Sequence, residues 1–231
     1  MSFDPGSRAR LTRYDLGRFV GETLFNRLAR AVCDAECLPR KELFEAWEVA
    51  RRVRRRFRGG RVVDLAGGHG LLAQVLLLLD DTSPSATVVE RSLPLSAASL
   101  HAALTAAWPR LAGRVRFLEA DLGAIALAPA DLVVASHACG ALTDAVLDRA
   151  SGVGARVAVL PCCHDLEACD PGPLTGWLEP TLAVDVRRAT ALEQRGYRVW
   201  TQVIPKRITP KHRLLLGEPA APAGQPRTPE S

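Results

Sequence analysis

The sequence predicts an α/β fold in which a mostly parallel, seven-stranded sheet ends in an antiparallel C-terminal strand pair and carries helices on both faces. Short runs rich in β-branched residues alternate with stretches rich in Ala and Leu, which is the pattern of repeated βαβ units around a buried parallel sheet. The last two strand-like runs are joined by a short link (205–211). Since a parallel crossover needs about a dozen residues or more, that pair must be antiparallel.

Two helices precede the first strand, because apolar side chains recur at helical spacing between residues 16 and 33 and again between residues 43 and 57. Gly59-Gly60 ends the second helix. The first strand-like runs that follow are 61–65, 87–90, 115–118, 132–135 and 156–160, and the helical stretches between them are 70–79, 94–107 and 142–150. A further helix (184–194) leads into the two closing strands, 197–204 and 212–217.

These elements predict three regions: a helical extension (1–58), an α/β domain (59–217) and a disordered tail (218–231) rich in Pro, Ala and Gly. The longest apolar run (75–79) is too short to span a bilayer, so no membrane contact is predicted. The N-terminal residues lack the apolar core of a secretory signal. The six cysteines are therefore expected to be thiols in a cytoplasmic protein.

Positive charge is concentrated before the first strand. The chain has a net charge of +5, yet residues 1–58 hold 14 Lys and Arg against 8 Asp and Glu, a balance of +6. The remaining residues hold 16 against 17, a balance of −1. A polyanionic partner is therefore expected at the N-terminal region.

A glycine loop follows the first strand. Residues 64–70 read Asp-Leu-Ala-Gly-Gly-His-Gly, and the residues from Gly68 onward also satisfy the G-x-G-x-x-G/A pattern of dinucleotide-binding loops. Glycines let a backbone approach a ligand closely, since no Cβ intervenes. Glu90 ends the next strand, where an acid binds a ribose. Taken alone, the loop does not distinguish a dinucleotide from another adenosine cofactor.

Three features resemble the S-adenosylmethionine-dependent methyltransferases. Asp64 resembles the acidic residue of their motif I, which would repel a pyrophosphate but suit the cofactor's ammonium group, directly or through water. Asp121 follows the third strand and suits the adenine amino group. The antiparallel closing pair is typical of the methyltransferase version of the Rossmann-like fold. Ala66 departs from the motif, since it stands where its first glycine would be. The resemblance implies that S-adenosylmethionine is bound by Asp64, Ala66, Gly67, Gly68, Gly70, Glu90, Asp121, Leu122 and Ser136.

Two loops rich in Cys and His follow the fourth and fifth strands, and both are expected at the carboxyl edge of the sheet, beside the cofactor. They read SHACGALTD (136–144) and PCCH (161–164). These segments resemble the KHLCGxATD and CCHH blocks of eukaryotic tRNA 2′-O-methyltransferases and of a wider methyltransferase-like family. Ser136 stands where that family has lysine. The resemblance implies that the catalytic and substrate-contacting groups are His137, Cys139, Cys162, Cys163 and His164.

The chemistry of these loops leaves alternatives open. Methyl transfer to a hydroxyl needs a base, and either His137 or His164 would serve, because imidazole titrates near neutral pH. The cysteines are candidates for a nucleophile in cytosine C5 methylation, for zinc binding together with the histidines, or for packing as small apolar groups. Neither loop has the C-x₂-C spacing of zinc sites, so no metal is predicted.

Six arginines lie within eight residues at the end of the second helix: Arg51, Arg52, Arg54, Arg55, Arg56 and Arg58. The helix dipole favours cations there, and guanidinium groups also bind phosphates, so a solvated face and an RNA contact are equal alternatives. We therefore expect an S-adenosylmethionine-dependent methyltransferase whose substrate is RNA, with tRNA as one candidate. The alternatives are methylation of a protein or small molecule, and a non-catalytic module that holds the cofactor or a metal.

Overall fold

The computed structural model of the chain describes residues 3–161 and 163–220. Its helices are α1 (Leu24–Ala35), α2 (Arg40–Arg56), α3 (Leu71–Leu79), α4 (Ala97–Ala107), α5 (Ala141–Gly152) and α6 (Pro180–Gln194). Its strands are β1 (Val62–Leu65), β2 (Ala86–Glu90), β3 (Val115–Glu119), β4 (Leu132–Ala135), β5 (Arg156–Val159), β6 (Tyr197–Val203) and β7 (Arg213–Pro219). The predicted alternation of strands and helices is confirmed.

The seven strands form one sheet in the order β3-β2-β1-β4-β5-β7-β6. Strands β1 to β5 are parallel, and β7 is antiparallel to both β5 and β6, which confirms the predicted closing pair. Because β7 opposes both of its neighbours, β6 runs in the same direction as β5. The link between β6 and β7 therefore lies at the carboxyl edge of the sheet, together with the loops that follow β1, β2, β4 and β5.

Helices cover both faces of the sheet. Helices α1 to α4 pack in one core against Val62 and Leu132, and α5 and α6 pack in a second core against Val63 and Val133. Neighbouring residues of a strand point to opposite faces. Every residue of β1 and β4 is consequently buried, as expected for a parallel sheet that is covered on both sides.

The predicted helix over residues 16–33 is wrong in its first half. Residues Arg13–Arg18 form a 3-10 helix, and α1 begins only at Leu24. Between them Gly21 has a φ of +89°, a left-handed conformation that interrupts a helix. The side chain of Thr23 then accepts a hydrogen bond from the amide of Asn26 at 3.2 Å and caps α1.

Helix α2 lies along α3, and the two helices run in the same direction. Arg54 near the end of α2 donates to the carbonyl of Leu76 at 3.1 Å, and Arg58 donates to the carbonyl of Leu79 at 3.1 Å. The N-terminal turns of both helices therefore lie at the carboxyl edge of the sheet, and their C-terminal turns lie at the amino edge. Residues of the predicted extension thus share one core with the α/β domain.

The closing strand is longer than predicted. Because β6 pairs with β7 along its whole length, with Arg198 beside Glu218, the strand extends to Pro219. The prediction that a disordered tail begins at residue 218 is therefore wrong for its first two residues, and residues 221–231 of that tail lie outside the described residues. Among the helices of the described ranges, none has the length and apolar character needed to cross a bilayer.

Candidate functional site

The glycine loop lies at the carboxyl edge, between β1 and α3. At Gly67 an added Cβ would stand 2.8 Å from the Cγ of Asp64, so the loop backbone lies directly on that carboxyl group. Gly68 has a φ of +53°, and no atom lies within 4 Å of the place where its Cβ would be. Its backbone therefore faces open space, as the close approach of a ligand requires.

At Ala66, the position that departs from the motif, the backbone keeps the left-handed conformation that glycine adopts easily. Ala66 has a φ of +54°, a conformation that costs a residue with a Cβ about 1–2 kcal/mol. Gly70 precedes α3 and packs on β2, since an added Cβ would meet Val88 at 2.7 Å. Alanine in place of the first motif glycine thus preserves the loop conformation at a small energetic cost.

Asp64 lies beneath this loop rather than in open space. Asp64 is 1% exposed, and in the part of the chain that the structure describes neither carboxylate oxygen has a hydrogen-bond partner. Burial raises the pKa of Asp64 to about 7; the nearby amide of Ala73 opposes this rise and the charge of Glu90 adds to it. Gly67 separates the carboxyl group from the cleft described below.

Glu90 ends β2 and binds the loop. Its Oε2 accepts a hydrogen bond from the amide of Gly68 at 3.0 Å, and its Oε1 accepts one from the amide of Arg91 at 3.0 Å. Asp121 follows β3, where its side chain is 74% exposed and forms an ion pair with Arg91 at 2.9 Å. Leu122 begins a short 3-10 helix beside it. The structure therefore brings these predicted cofactor residues to one edge of the sheet.

A cleft of about 150 Å³ opens in front of the glycine loop. Its lining includes Gly67, Gly68 and His69 of the loop, Leu71 and Leu72 of α3, Ser136 and His137 after β4, and Glu42, Glu45 and Ala46 of α2. The predicted residues Ser136 and His137 thus lie at the loop. The contribution of α2 was not predicted, because its apolar periodicity indicated only a helix packed on the core.

Two imidazoles border the cleft. The Nε2 of His69 lies 2.9 Å from the Oγ of Ser96. Burial lowers the pKa of His69; the charge of Glu42 opposes this shift and that of His137 adds to it. His69 is therefore neutral at pH 7, whereas His137 is exposed at the mouth of the cleft. Sequence reasoning assigned no role to His69, although it lies inside the motif.

The two Cys/His loops are joined, as their position after neighbouring strands predicts. The amide of Gly140 donates to the carbonyl of Cys163 at 2.9 Å. Arg188 of α6 holds the first loop: its Nε and Nη2 each lie 2.8 Å from the carboxylate of Asp144, and its Nη2 also donates to the carbonyl of Gly140 at 3.0 Å. Asp144 therefore anchors the loop to α6, and Arg188 was missed because it is distant in sequence.

The structure does not support His164 as a group that lines the open cleft. Its side chain is 1% exposed, its Nε2 lies 2.7 Å from the Oδ1 of Asp185, and its Nδ1 has no hydrogen-bond partner within the described ranges 3–161 and 163–220. Burial tends to raise the pKa of Asp185, but hydrogen bonds from His164 and Arg213 outweigh it, so the pKa lies below its usual value. The imidazole is thus fixed by an acid on α6.

The remaining predicted groups of these loops are cysteines. Cys139 and Cys163 are exposed, and Cys162 lies outside the described residues. Within residues 3–161 and 163–220, no three His, Cys, Asp or Glu side chains are grouped closely enough to hold a metal ion. The cleft is thus formed by the acidic first turns of α2, the glycine loop with the start of α3, and the first Cys/His loop.

The end of the arginine run lies at the opposite edge of the sheet, whereas Arg52 donates to the carbonyl of Val203 at the carboxyl end of β6 at 3.0 Å. Arg54 is 3% exposed and forms an ion pair with Asp80 at 3.0 Å, so its guanidinium group is not accessible from solvent. Arg52 is bound to Glu48, and Arg58 lies beside Asp80. Arg55, ten residues beyond Glu45 on the same helix, lies about 15 Å further along the axis. The residues from Arg54 onward are therefore distant from the cleft.

Solved structures share this fold. The mitomycin 7-O-methyltransferase MmcR is 21% identical with a TM-score of 0.52, over 90% of this chain and 61% of its own. The pyocyanin biosynthetic protein PhzM is 19% identical with a TM-score of 0.51, over 89% and 59%. The Bacillus subtilis m1A22 tRNA methyltransferase TrmK is 16% identical with a TM-score of 0.51, over 75% and 66%. This chain thus spans roughly three fifths to two thirds of their lengths. No curated protein sequence matches it.

A family model described as a methyltransferase domain matches residues 42–168, more than half of the chain. The match includes the acidic turn of α2, the glycine loop and both Cys/His loops. The open backbone at Gly68 and the acid Glu90 at the end of β2 fit S-adenosylmethionine, whose adenosine needs a close backbone and an acceptor for its ribose hydroxyls. The chain belongs to this methyltransferase-domain family and is an S-adenosylmethionine-dependent methyltransferase.

Proposed function

We propose that this enzyme methylates RNA and that basic side chains beside the cleft bind the RNA backbone. The observation that carries the proposal is a set of cations, here called the basic rim, formed by Arg8, Arg10, Lys206, Arg207 and Lys211. Within the described part of the chain, none of these five side chains forms an ion pair with an acid. Unpaired cations beside an active site suit a phosphate backbone.

Backbone contacts hold the basic rim next to the turn of α2 that lines the cleft. The amide of Lys41 donates to the carbonyl of Ser7 at 3.0 Å, so the N-terminal segment lies along the start of α2. The same segment contacts the link between β6 and β7, because an added Cβ at Gly6 would stand 2.5 Å from the carbonyl oxygen of Arg207. Both parts of the rim therefore lie at the carboxyl edge, whereas Arg54, Arg55, Arg56 and Arg58 lie toward the amino edge. We accordingly assign the phosphate contacts to the rim.

The chain's own groups have two tasks in the reaction. S-adenosylmethionine supplies an electron-poor methyl group, so the protein must orient the nucleophile and, for a hydroxyl, accept its proton. His137 is the favoured base, because it lines the cleft and is exposed there. His164 is disfavoured, because its ring is buried and Nε2 is bound to Asp185. His69 lies near enough to orient a substrate group as a neutral imidazole.

The likeness of the two Cys/His loops to those of tRNA 2′-O-methyltransferases supports RNA as the substrate class. tRNA is therefore the first RNA to test, and a ribose hydroxyl is the first acceptor. We also propose the cytoplasm as the location, where the thiols of Cys33, near the end of α1, and Cys37, just after it, stay reduced.

The proposal is tested by incubating the enzyme with radiolabelled S-adenosylmethionine and with total RNA or total protein from cells that lack this enzyme. We expect label in the RNA fraction, removed by ribonuclease. The double variant Lys206→Ala/Arg207→Ala should lower RNA labelling about tenfold at physiological salt. Two lost phosphate contacts should also reduce the slope of log affinity against log salt by about 1.5.

A matched control comes from the arginine run. Arg55→Ala/Arg56→Ala removes two exposed positive charges from the amino edge, and RNA labelling should stay within about twofold of the wild type. Label confined to the protein fraction would show that RNA is the wrong substrate. A loss in the control variant without a loss in the rim variant would show that the RNA lies at the other edge.

A further inference from the structure

The cleft contains a buried carboxylate that the reaction described above does not use. Glu45 is 1% exposed and lines the cleft, and among the described residues neither of its oxygens has a hydrogen-bond donor. The Nζ of Lys41 lies 2.8 Å from its Oε2 and forms an ion pair with it. A buried carboxylate is costly unless a partner compensates its charge. Lys41 compensates this charge, but both oxygens still lack a hydrogen-bond donor within residues 3–161 and 163–220, and a ligand ammonium group in the cleft would supply one.

The neighbours of Glu45 define what kind of cation fits. Glu42 adds a second carboxylate on the same turn of α2. Leu71 and Leu72 line the same cleft and form the first turn of α3, a nine-residue helix whose leading amides have no acceptor within the helix. Such amides favour an anion, whereas the two acids favour a cation. One cleft thus offers complementary partners for both charges of an α-amino acid zwitterion.

Asp64, the acid expected at this place, is less suited to direct contact. Asp64 lies beneath Gly67, since a Cβ added to Gly67 would stand 3.0 Å from the Oδ2 of Asp64. Asp64 does not line the cleft. Glu45, in contrast, shares the cleft with Gly67, Gly68 and Ser136, three residues of the predicted cofactor site.

We propose that Glu45 binds the α-ammonium group of S-adenosylmethionine, assisted by Glu42, and that the amides of Leu71 and Leu72 bind its carboxylate. Helix α2 is then part of the cofactor site rather than only a cover for the core. The proposal rests on the cofactor and does not depend on RNA as the substrate.

Calorimetry with three non-reactive ligands tests this assignment. S-adenosylhomocysteine carries both the amine and the carboxylate, S-adenosyl-3-thiopropylamine carries only the amine, and methylthioadenosine carries neither. Glu45→Gln should weaken binding of the first two ligands about 10- to 100-fold, the usual effect of losing a charged hydrogen bond. Methylthioadenosine should bind the variant and the wild type within about twofold.

The matched control is Glu48→Gln, one turn further along α2, where the carboxylate binds Arg51 and Arg52 outside the cleft. It should leave the affinity for all three ligands unchanged. The melting midpoint without ligand checks the fold, and Glu45→Asp, which keeps the charge but shortens the side chain, should give a smaller loss than Glu45→Gln. An equal loss for all three ligands, or no loss for S-adenosylhomocysteine, would overturn the proposal. No titration contains RNA, so the substrate proposal can fail while this one stands.

Discussion

Asp64 makes the stability of this protein depend on pH. The pKa of a carboxyl group in an unfolded chain is about 3.9, and burial raises that of Asp64 to about 7 in the fold. The folded state therefore holds its proton more tightly than the unfolded state. Below about pH 4 the carboxyl group is protonated in both states, so it does not lower the free energy of unfolding. As the pH rises to 7 the unfolded state alone ionises, so stability falls, and above pH 7 the loss is complete.

We predict that Asp64→Asn removes this dependence. Three pKa units correspond to about 4 kcal/mol, so the free energy of unfolding of the variant should exceed that of the wild type by a few kcal/mol at pH 8. The two proteins should differ little at pH 4. Urea unfolding at intervals from pH 4 to pH 8, without cofactor, measures the difference.

Asp148→Asn provides the comparison for that series, since Asp148 is mostly exposed and pairs with Arg195 at the surface. Its stability difference from the wild type should stay small across the pH range. If the curves of Asp64→Asn and the wild type run parallel, the Asp64 carboxyl group is not held in its protonated form by burial.

Single residues of the site differ in how far the sequence could predict them. Gly68 and Glu90 were predicted to lie at the cofactor, because their roles follow from their position at a strand end. Glu45 and Arg188 were not predicted, since the burial of both arises from contacts between segments distant in the sequence. A charged residue on an amphipathic helix indicates a solvated face by default, and only the packing of α2 on the glycine loop reverses that expectation for Glu45.

At the scale of elements, periodicity predicted which segments form strands and helices but not where the helices are interrupted or which side of them is exposed. Gly21 divides the predicted first helix, although the apolar spacing continues across it. In the arginine run, successive residues of a helix are turned by about 100°, so Arg54 is buried against α3 while Arg55 faces solvent. The sequence shows six similar cations, and the fold gives them different surroundings.

Arg188 joins three elements, because it contacts α5 through Asp144, the preceding loop through Gly140, and Asp185 on its own helix at 3.4 Å. We predict that Arg188→Met lowers the free energy of unfolding by about 1–3 kcal/mol, since a buried carbonyl loses its donor while the partly exposed Asp144 regains water. Amide hydrogen exchange in residues 136–144 should also become faster. Denaturant unfolding and hydrogen exchange measure the two effects.

The adjacent arginine provides the comparison for this variant. Arg187 lies on the same helix, but it is half exposed and pairs with the exposed Asp170. Arg187→Met should change stability by less than about 0.5 kcal/mol and leave exchange in the loop unaltered. Equal effects of the two substitutions would mean that Arg188 is not a specific anchor of the loop.

The whole molecule is organised by the two edges of its sheet. The cleft and the basic rim lie at the carboxyl edge, and the end of the arginine run, from Arg54 to Arg58, lies at the amino edge. Helices α2 and α3 connect the edges, and the buried ion pair between Arg54 and Asp80 fixes their far ends. The N-terminal region therefore contributes to the fold and to the site together, since the same helix that covers α3 also lines the cleft.

We predict that residues 59–231 alone do not fold into a cooperative structure. Removing α1 and α2 would expose the face of α3 that Leu43, Val49 and Val53 now cover, and all three are fully or almost fully buried. In the full chain Leu43→Ala should already cost about 2–5 kcal/mol of unfolding free energy, because it leaves a cavity in that layer. Near-ultraviolet circular dichroism and a urea titration of the shortened chain measure the outcome. A sharp unfolding transition with native aromatic signals would instead show that the first 58 residues are an appendage to an independent domain.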